Sequence, residues 1–113
     1  MSDHIKIHKA EGTWTVRADG AVLAESENAL ELVEGSSDPV IYFPRADIGM
    51  AFLEPSETRS HCPFKGDASY YSIHASAGLI PDAGWSYESP KDGVARIRDH
   101  IAFYPHKVTV ERI

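Results

Sequence analysis

The chain has 113 residues, of which 42% are hydrophobic and 25% are charged, and its formal net charge is −6. This length is typical of one domain with its own hydrophobic core, so we expect a single domain over residues 1–113. The eleven Lys and Arg residues are scattered, which argues against partners that need a basic face, namely nucleic acids and acidic membrane surfaces. The chain lacks an apolar run of about 20 residues and an apolar leader, and we therefore expect a cytoplasmic protein.

Alternation of apolar and polar residues predicts several short β-strands. Trp14 and Val16 alternate with polar neighbours, which is the period-two pattern of a half-buried strand. Asp19 and Gly20 then form a dipeptide that favours a tight turn, because both central positions of a type I′ turn need positive φ. The sequence therefore predicts a β-hairpin over about residues 12–25.

Further strand signals follow along the chain. Segment 27–35 fits either a helix or a strand, and we favour a strand because Gly35 and Pro39 leave little length for a helix. Segment 39–43 is rich in β-branched and aromatic residues and predicts a strand buried on both faces. Strands are also predicted in the segments ASYYSIHA and WSYES, and as two strands around the turn in IAFYPHKVTVERI.

One short helix is predicted near residues 90–99. Ser89 suits the capping position and Pro90 the first helical position. The spacing of three and four residues predicts one apolar stripe, formed by Val94, Ile97 and Ile101. The fold class expected is mainly β, a compact domain of antiparallel sheets with this single helix.

The segment from residue 59 to residue 73 contains most of the side chains that could take part in catalysis or binding. Its thiol, Cys62, is a candidate nucleophile if Lys65 or a distant histidine lowers the pKa of the thiol. His61 is an unsuitable partner, because neighbours on a regular strand point to opposite faces. The alternative is a buried cysteine that behaves as a small hydrophobic residue.

A second hypothesis is a site for a small anionic or polar ligand. Arg45 and Lys65 supply positive charge, and the backbone around Gly66 could form an anion-binding turn. Aromatic walls would come from Tyr70, Tyr71, Trp85, Tyr87 and Tyr104. The alternative places these rings in the core or on the sheet surface, with Arg45 and Asp47 paired with each other or capping a turn. The histidines show no metal-ligand spacing, and we predict neither a metal nor a cofactor.

The chain also resembles a known family. The segments YFPRAD (42–47), CPFKGDASYYSI (62–73), WSYESP (85–90) and IAFYPHKVTV (101–110) are similar, in order and spacing, to the domain of unknown function 427 family. Gly84 departs slightly, since the family usually has Ala there. By motif position the resemblance singles out Arg45, Asp47, Cys62, Lys65, Gly66, Tyr70, Trp85 and Tyr87.

The resemblance implies a β-tent or Mss4-like outline, in which curved antiparallel sheets meet at an angle. Zinc-bearing members of that architecture use two C-x-x-C motifs, which this sequence lacks. The family also has a nucleotidyltransferase-type name, but polymerase-like transferases need a Gly-Ser pair followed by D-x-D carboxylates, and this combination is missing here.

The sequence leaves three hypotheses for function. The first is a small-ligand-binding or accessory domain with a pocket between residues 62–71 and 85–88. The second is an enzyme that uses Cys62 as its nucleophile. The third is a self-associating protein that pairs an exposed strand edge with another copy.

Overall fold

The structure is a computed structural model that describes residues 4–113. Its strands are β1 (Ile5–Lys9), β2 (Trp14–Ala18), β3 (Ala21–Ser26), β4 (Leu30–Glu34), β5 (Val40–Pro44), β6 (Leu53–Cys62), β7 (Gly66–Ala75), β8 (Gly78–Ser86), β9 (His100–Phe103) and β10 (Thr109–Arg112). Short 3-10 turns span Arg45–Asp47, Met50–Phe52 and Asp92–Ile97. The predicted fold class, mainly β with antiparallel sheets and little helix, is confirmed.

The strands form two sheets. The larger has seven strands in the order β1-β4-β5-β9-β8-β7-β6, and the smaller has three in the order β10-β2-β3. The hairpin predicted over about residues 12–25 is β2–β3, and its turn residues Asp19 and Gly20 have φ values of 50° and 82°. Positive φ at both positions is the requirement from which the turn was predicted. The strands predicted in segments 27–35 and 39–43 are β4 and β5.

One face of the seven-stranded sheet packs against the three-stranded sheet. Phe43, Ile73 and Ile101 from the larger sheet are fully buried there, together with Val16 from the smaller one. Burying a side chain of this size stabilises the fold by about 1.5–3 kcal/mol. This face, which we call the closed face, is the main hydrophobic core.

The opposite face of the seven-stranded sheet is covered differently. Tyr42 and Ala102 alternate with the closed-face residues along β5 and β9, and they pack against Val94 and Ile97 from the turns at Asp92–Ile97. This cover reaches only part of the sheet, since the rings of Tyr70 and Trp85 stay half-buried. We call this second face the open face.

The region predicted as a helix near 90–99 differs in detail. It consists of 3-10 turns over Asp92–Ile97 that are interrupted at Val94, whose φ is −128°, and Ser89 makes no cap. Ile101 belongs to β9 and pairs with Phe43. The predicted apolar stripe therefore combined two residues of the 3-10 turns, Val94 and Ile97, with a strand residue, Ile101. Among the described residues, no helix has both the length and the apolar character that a membrane crossing requires.

The two strands predicted in the segment IAFYPHKVTVERI are present as β9 and β10, but they do not pair with each other. β9 lies inside the seven-stranded sheet between β5 and β8, whereas β10 pairs with β2 in the smaller sheet. The turn between them, residues 104–108, therefore passes from one sheet to the other. This passage places Tyr104 beside Trp85 at the end of the open face.

Candidate ligand-binding cavity

A row of side chains across four strands forms the floor of the candidate site. In the register of the sheet, Tyr42 lies opposite Ala102, Ala102 opposite Trp85, and Trp85 opposite Tyr70. Directly opposed residues of antiparallel strands share one face. Because Ala102 is small, the indole N–H of Trp85 reaches the hydroxyl oxygen of Tyr42 above it, at 3.3 Å. The row thus presents three rings to the open face.

These rings border a cavity of about 250 Å³. Its aromatic wall consists of Tyr42, Tyr70, Trp85, Tyr87 and Tyr104, and its other lining residues are Leu32, Glu34, Ser37, Asp38, Val40 and Lys65. The loop 35–39 between β4 and β5 supplies one rim, and the turn after β9 supplies another. A mostly aromatic wall with a few polar groups is typical of small-molecule sites.

An ion pair lies at the polar end of the cavity. The Nζ atom of Lys65 donates a hydrogen bond to Oε1 of Glu34 at 2.6 Å, and Lys65 is only 9% exposed. This hydrogen bond holds the pKa of the Glu34 carboxyl below its usual value, and His4 at 3.3 Å acts in the same direction. The positive charge of Lys65 is therefore already compensated within the protein.

The position of Lys65 follows from the tight turn between β6 and β7. Its backbone N–H donates to the carbonyl oxygen of Cys62, and its own carbonyl oxygen accepts from the N–H of Lys91. Gly66 has a φ of +113°, and a Cβ there would meet the carbonyl oxygen of Ser89 at 3.3 Å. Glycine at this position allows segment 87–91 to pack closely over the turn, which brings Tyr87 to the cavity.

Burial shifts the tyrosines of the cavity toward their neutral form. Desolvation raises the pKa of Tyr42 and of Tyr87 above the usual tyrosine value. Desolvation, helped by a hydrogen bond with Tyr70, raises the pKa of Tyr104 to about 12. At neutral pH the wall therefore offers uncharged phenols, which can both donate and accept hydrogen bonds.

A second, larger cavity of about 470 Å³ adjoins the first. The two share Asp38, Val40, Trp85 and Tyr104. The rings of Trp85 and Tyr104 lie 4.5 Å apart between centroids, with planes tilted by 39°, and form the boundary between them. The second cavity is further lined by Trp14, Glu31, Pro39, Ile41, Phe103, Pro105 and Val110. We call the two together the aromatic cleft.

The register of β5 and β9 explains why the cleft opens at this end of the sheet. Their pairing covers only Tyr42 to Pro44 on β5 and His100 to Ala102 on β9. Val40 and Tyr104 lie beyond that pairing and border both cavities. The space left where the strands separate is part of the cleft.

The structure brings some of the predicted site residues together and separates others. Lys65, Tyr70, Trp85 and Tyr87, four residues of the predicted ligand site, all line the first cavity. Gly66 shapes the adjacent turn. Tyr71, by contrast, is 7% exposed and belongs to the core of the closed face.

Arg45 and Asp47 lie outside the cleft. The guanidinium of Arg45 donates to the hydroxyl oxygen of Tyr71 at 2.8 Å and to the carboxylate of Glu88 at 2.9 Å. Asp47 accepts a hydrogen bond from Ser26 at 2.6 Å. These contacts join the 3-10 turn after β5 to β7 and to the smaller sheet, and they do not bring Arg45 and Asp47 together. Arg45 and Lys65, the two cations expected at one ligand site, therefore do not share a cavity, and Cys62 does not line the cleft either.

Cys62 is half-buried and packs against the hydrophobic residues of the open face. His61 is exposed and contacts Asp67 at 2.7 Å, on the other side of the strand, as alternation predicts. Across residues 4–113, every histidine that makes a side-chain hydrogen bond makes it with a carboxylate or a backbone carbonyl oxygen. A nucleophilic role for Cys62 thus remains a hypothesis from the sequence.

Sequence reasoning missed Glu34, Asp38 and Tyr42. A signal for Glu34 was available, because β4 places Leu30, Leu32 and Glu34 on one face. Nothing local to the sequence indicated that this face meets Lys65, 31 residues away along the chain. The part of the chain that the structure describes contains no cluster of three or more histidine, cysteine, aspartate or glutamate side chains able to hold a metal ion.

Comparison with known proteins identifies a family. Residues 6–113 match the model of the family described as domain of unknown function (DUF427), whose short name is NTP_transf_9. The match spans nearly the whole chain and confirms the resemblance drawn from the sequence motifs. No curated protein matches the chain.

Proposed function

The chain belongs to the DUF427 family, and we propose that this member is a small-molecule-binding domain whose ligand occupies the aromatic cleft. The observation that carries the proposal is a continuous pair of cavities lined mainly by rings and aliphatic side chains, with few polar groups. The larger cavity has the volume of a typical ligand pocket, which is roughly 300–1,000 Å³.

The half-buried rings support this proposal on energetic grounds. Trp85 and Tyr104 keep part of their surface exposed to water although they lie beside a well-packed core. Covering apolar surface contributes roughly 25 cal/mol per Å², so a flat ligand seated against these rings would gain affinity. The Tyr42, Tyr70 and Tyr87 phenols can orient its polar groups.

The charges of the cleft favour a polar ligand over an anionic one. An anion would need a free cation, but the ammonium of Lys65 is held by Glu34 at 2.6 Å. Arg45, the second candidate, is paired with Glu88 outside the cleft. An anionic ligand would also approach the carboxylates of Glu31 and Asp38.

Tryptophan fluorescence offers a direct test, because the two tryptophans of the chain, Trp14 and Trp85, both line the cleft. A library of nucleosides, sugars, aromatic amines and carboxylates would be titrated while emission and thermal stability are recorded. We expect at least one compound to change the emission and raise the melting temperature together, because a ligand that binds only the folded state stabilises it.

A matched pair of variants locates the binding site. Val40→Phe fills the cleft where its two cavities meet, whereas Val33→Phe places the same ring at another half-buried valine, on β4 and outside the cleft. We expect the first variant to lose binding and the second to retain it. Equal affinity of both variants for the compound found would place the ligand elsewhere and overturn the proposal.

A further inference from the structure

We propose that the ligand of the aromatic cleft is an organic cation, an ammonium group carried on a small apolar body. This inference rests on the proposed function and specifies the chemical class of the ligand. It is argued from the balance of charge in the lining, from one carboxylate without a partner among residues 4–113, and from the arrangement of the rings.

The lining of the cleft contains more negative than positive charge. Within the described part of the chain, its carboxylates are those of Glu31, Glu34 and Asp38, and its only lysine or arginine is Lys65. Because Glu34 and Lys65 form an ion pair, their charges cancel at a distance. The remaining charge is negative, and it is unopposed by any lysine or arginine in the larger cavity. The net charge of the chain, −6, acts in the same direction.

Asp38 is the group best placed to meet a cation. It lies in the exposed loop after β4 and borders both cavities. Glu31 is paired with His8, and Glu34 with Lys65. Within residues 4–113, by contrast, no hydrogen bond or ion pair engages the Asp38 carboxylate. A ligand ammonium at the boundary of the two cavities would therefore find an uncommitted carboxylate.

The rings at this boundary suit the same charge. The face of an aromatic ring carries negative charge density and attracts a cation within about 6 Å, with tryptophan the most effective. Trp85 and Tyr104 lie 4.5 Å apart between ring centroids, and both line the same two cavities as Asp38. Tyr104 already attracts the Lys107 ammonium, 6.0 Å from its centroid, but Lys107 is held by the Pro81 carbonyl oxygen and does not line the cleft. Trp85 is thus the principal surface for a ligand cation.

Three probes of nearly identical shape separate charge from shape. Choline carries a trimethylammonium group, 3,3-dimethylbutan-1-ol replaces its nitrogen by carbon and is neutral, and 3,3-dimethylbutanoate is an anion. Each would be titrated while the NMR signals of the two indole N–H groups are followed. We expect choline to shift the signal of Trp85 and to bind about three- to thirty-fold more tightly than the alcohol, with the carboxylate weakest. The affinity for choline should also fall with added salt.

The outcomes distinguish this inference from the function on which it rests. Three results would overturn the assignment of an organic cation: equal binding of choline and the alcohol, tighter binding of the carboxylate, or no binding of choline. If neutral or anionic compounds still bind in the cleft and Val40→Phe abolishes their binding, the small-molecule function stands without it.

A charge-neutralising variant provides a second test. Asp38→Asn should weaken choline binding about two- to fivefold and leave the alcohol unaffected. Glu57→Gln is the matched control, because Glu57 is an exposed carboxylate on the edge strand β6, outside the cleft. An equal loss in both variants would indicate a general effect of net charge, and no loss in Asp38→Asn would remove Asp38 from the site; either result contradicts the assignment.

Discussion

The two faces of the seven-stranded sheet are built from the same strands, yet one is mostly a packed core and the other borders the smaller cavity of the cleft. The larger cavity reaches the edge of the closed face at Ile41 and Phe103. Neighbouring residues divide between the two faces, as Tyr71 belongs to the closed face and Tyr70 to the open one. The closed face meets a second sheet that covers it. The open face meets only short turns and loops, which cover part of its rings. The extent of the cover, rather than the composition of the strands, decides where the sheet can accept a ligand.

The largest contrast in stability should appear between single substitutions on the two faces. Phe43→Ala removes a side chain that is 0% exposed in the closed face, and we expect a loss of about 3–5 kcal/mol in the free energy of unfolding. Tyr70→Ala removes a half-buried ring that already borders a cavity, and it should cost less than half as much. Urea denaturation of both variants measures the difference, and equal losses would show that the open face is as tightly packed as the closed one.

The ion pair of the open face should give the next largest effect. Lys65→Met leaves the Glu34 carboxylate beside a partly apolar cavity without its donor, and we expect a loss of about 1–2 kcal/mol. Adding Glu34→Gln should restore part of this loss, because it removes the uncompensated charge. Urea denaturation of the double-mutant cycle tests the coupling. Additive effects of the two substitutions would mean that the pair contributes nothing in water.

The ion pair of Glu34 and Lys65 also predicts how the free energy of unfolding depends on pH. Since the pKa of Glu34 is lowered on folding, its contribution is complete above the unfolded value of 4.5 and is lost as pH falls through the folded pKa. The Lys65→Met/Glu34→Gln variant should therefore lose less stability than the wild type between pH 5 and pH 3. Parallel curves for the two proteins in this range would contradict the assignment.

A substitution outside the cleft sharpens the comparison for binding. Arg45→Ala removes hydrogen bonds to Tyr71 and Glu88, and we expect a loss of about 1 kcal/mol in stability. Affinity for a ligand of the cleft should not change. A titration followed by fluorescence measures it, and weaker binding by this variant would connect the family motif around Arg45 with the ligand site.

The smallest effect should come from Tyr104 at alkaline pH. Its pKa is raised by burial from 10.0 to about 12, so its stabilising contribution is complete below pH 10 and is lost as pH rises toward 12. Tyr104→Phe should lose less stability than the wild type between pH 9 and pH 11. Urea denaturation at these two pH values is the measurement, and an identical loss in both proteins would argue that Tyr104 ionises freely.

The sequence by itself determined the elements that depend on local patterns. Alternation identified most strands, the Asp19 and Gly20 dipeptide identified the hairpin turn, and the motif segments identified the family. Alternation also separated His61 from Cys62. These features depend on neighbours along the chain, where the backbone geometry is set by a few residues.

Only the tertiary structure decided which residues meet. Lys65 contacts Glu34 and Tyr42 contacts Trp85 because β4, β5, β8 and the turn before β7 converge in one sheet. Arg45 lies in the family motif, yet it turns to Tyr71 and Glu88. The order of strands in a sheet is a long-range property, and it places on one face residues that are far apart in the chain. A cleft made by residues from seven strands and four connecting segments has no local signature.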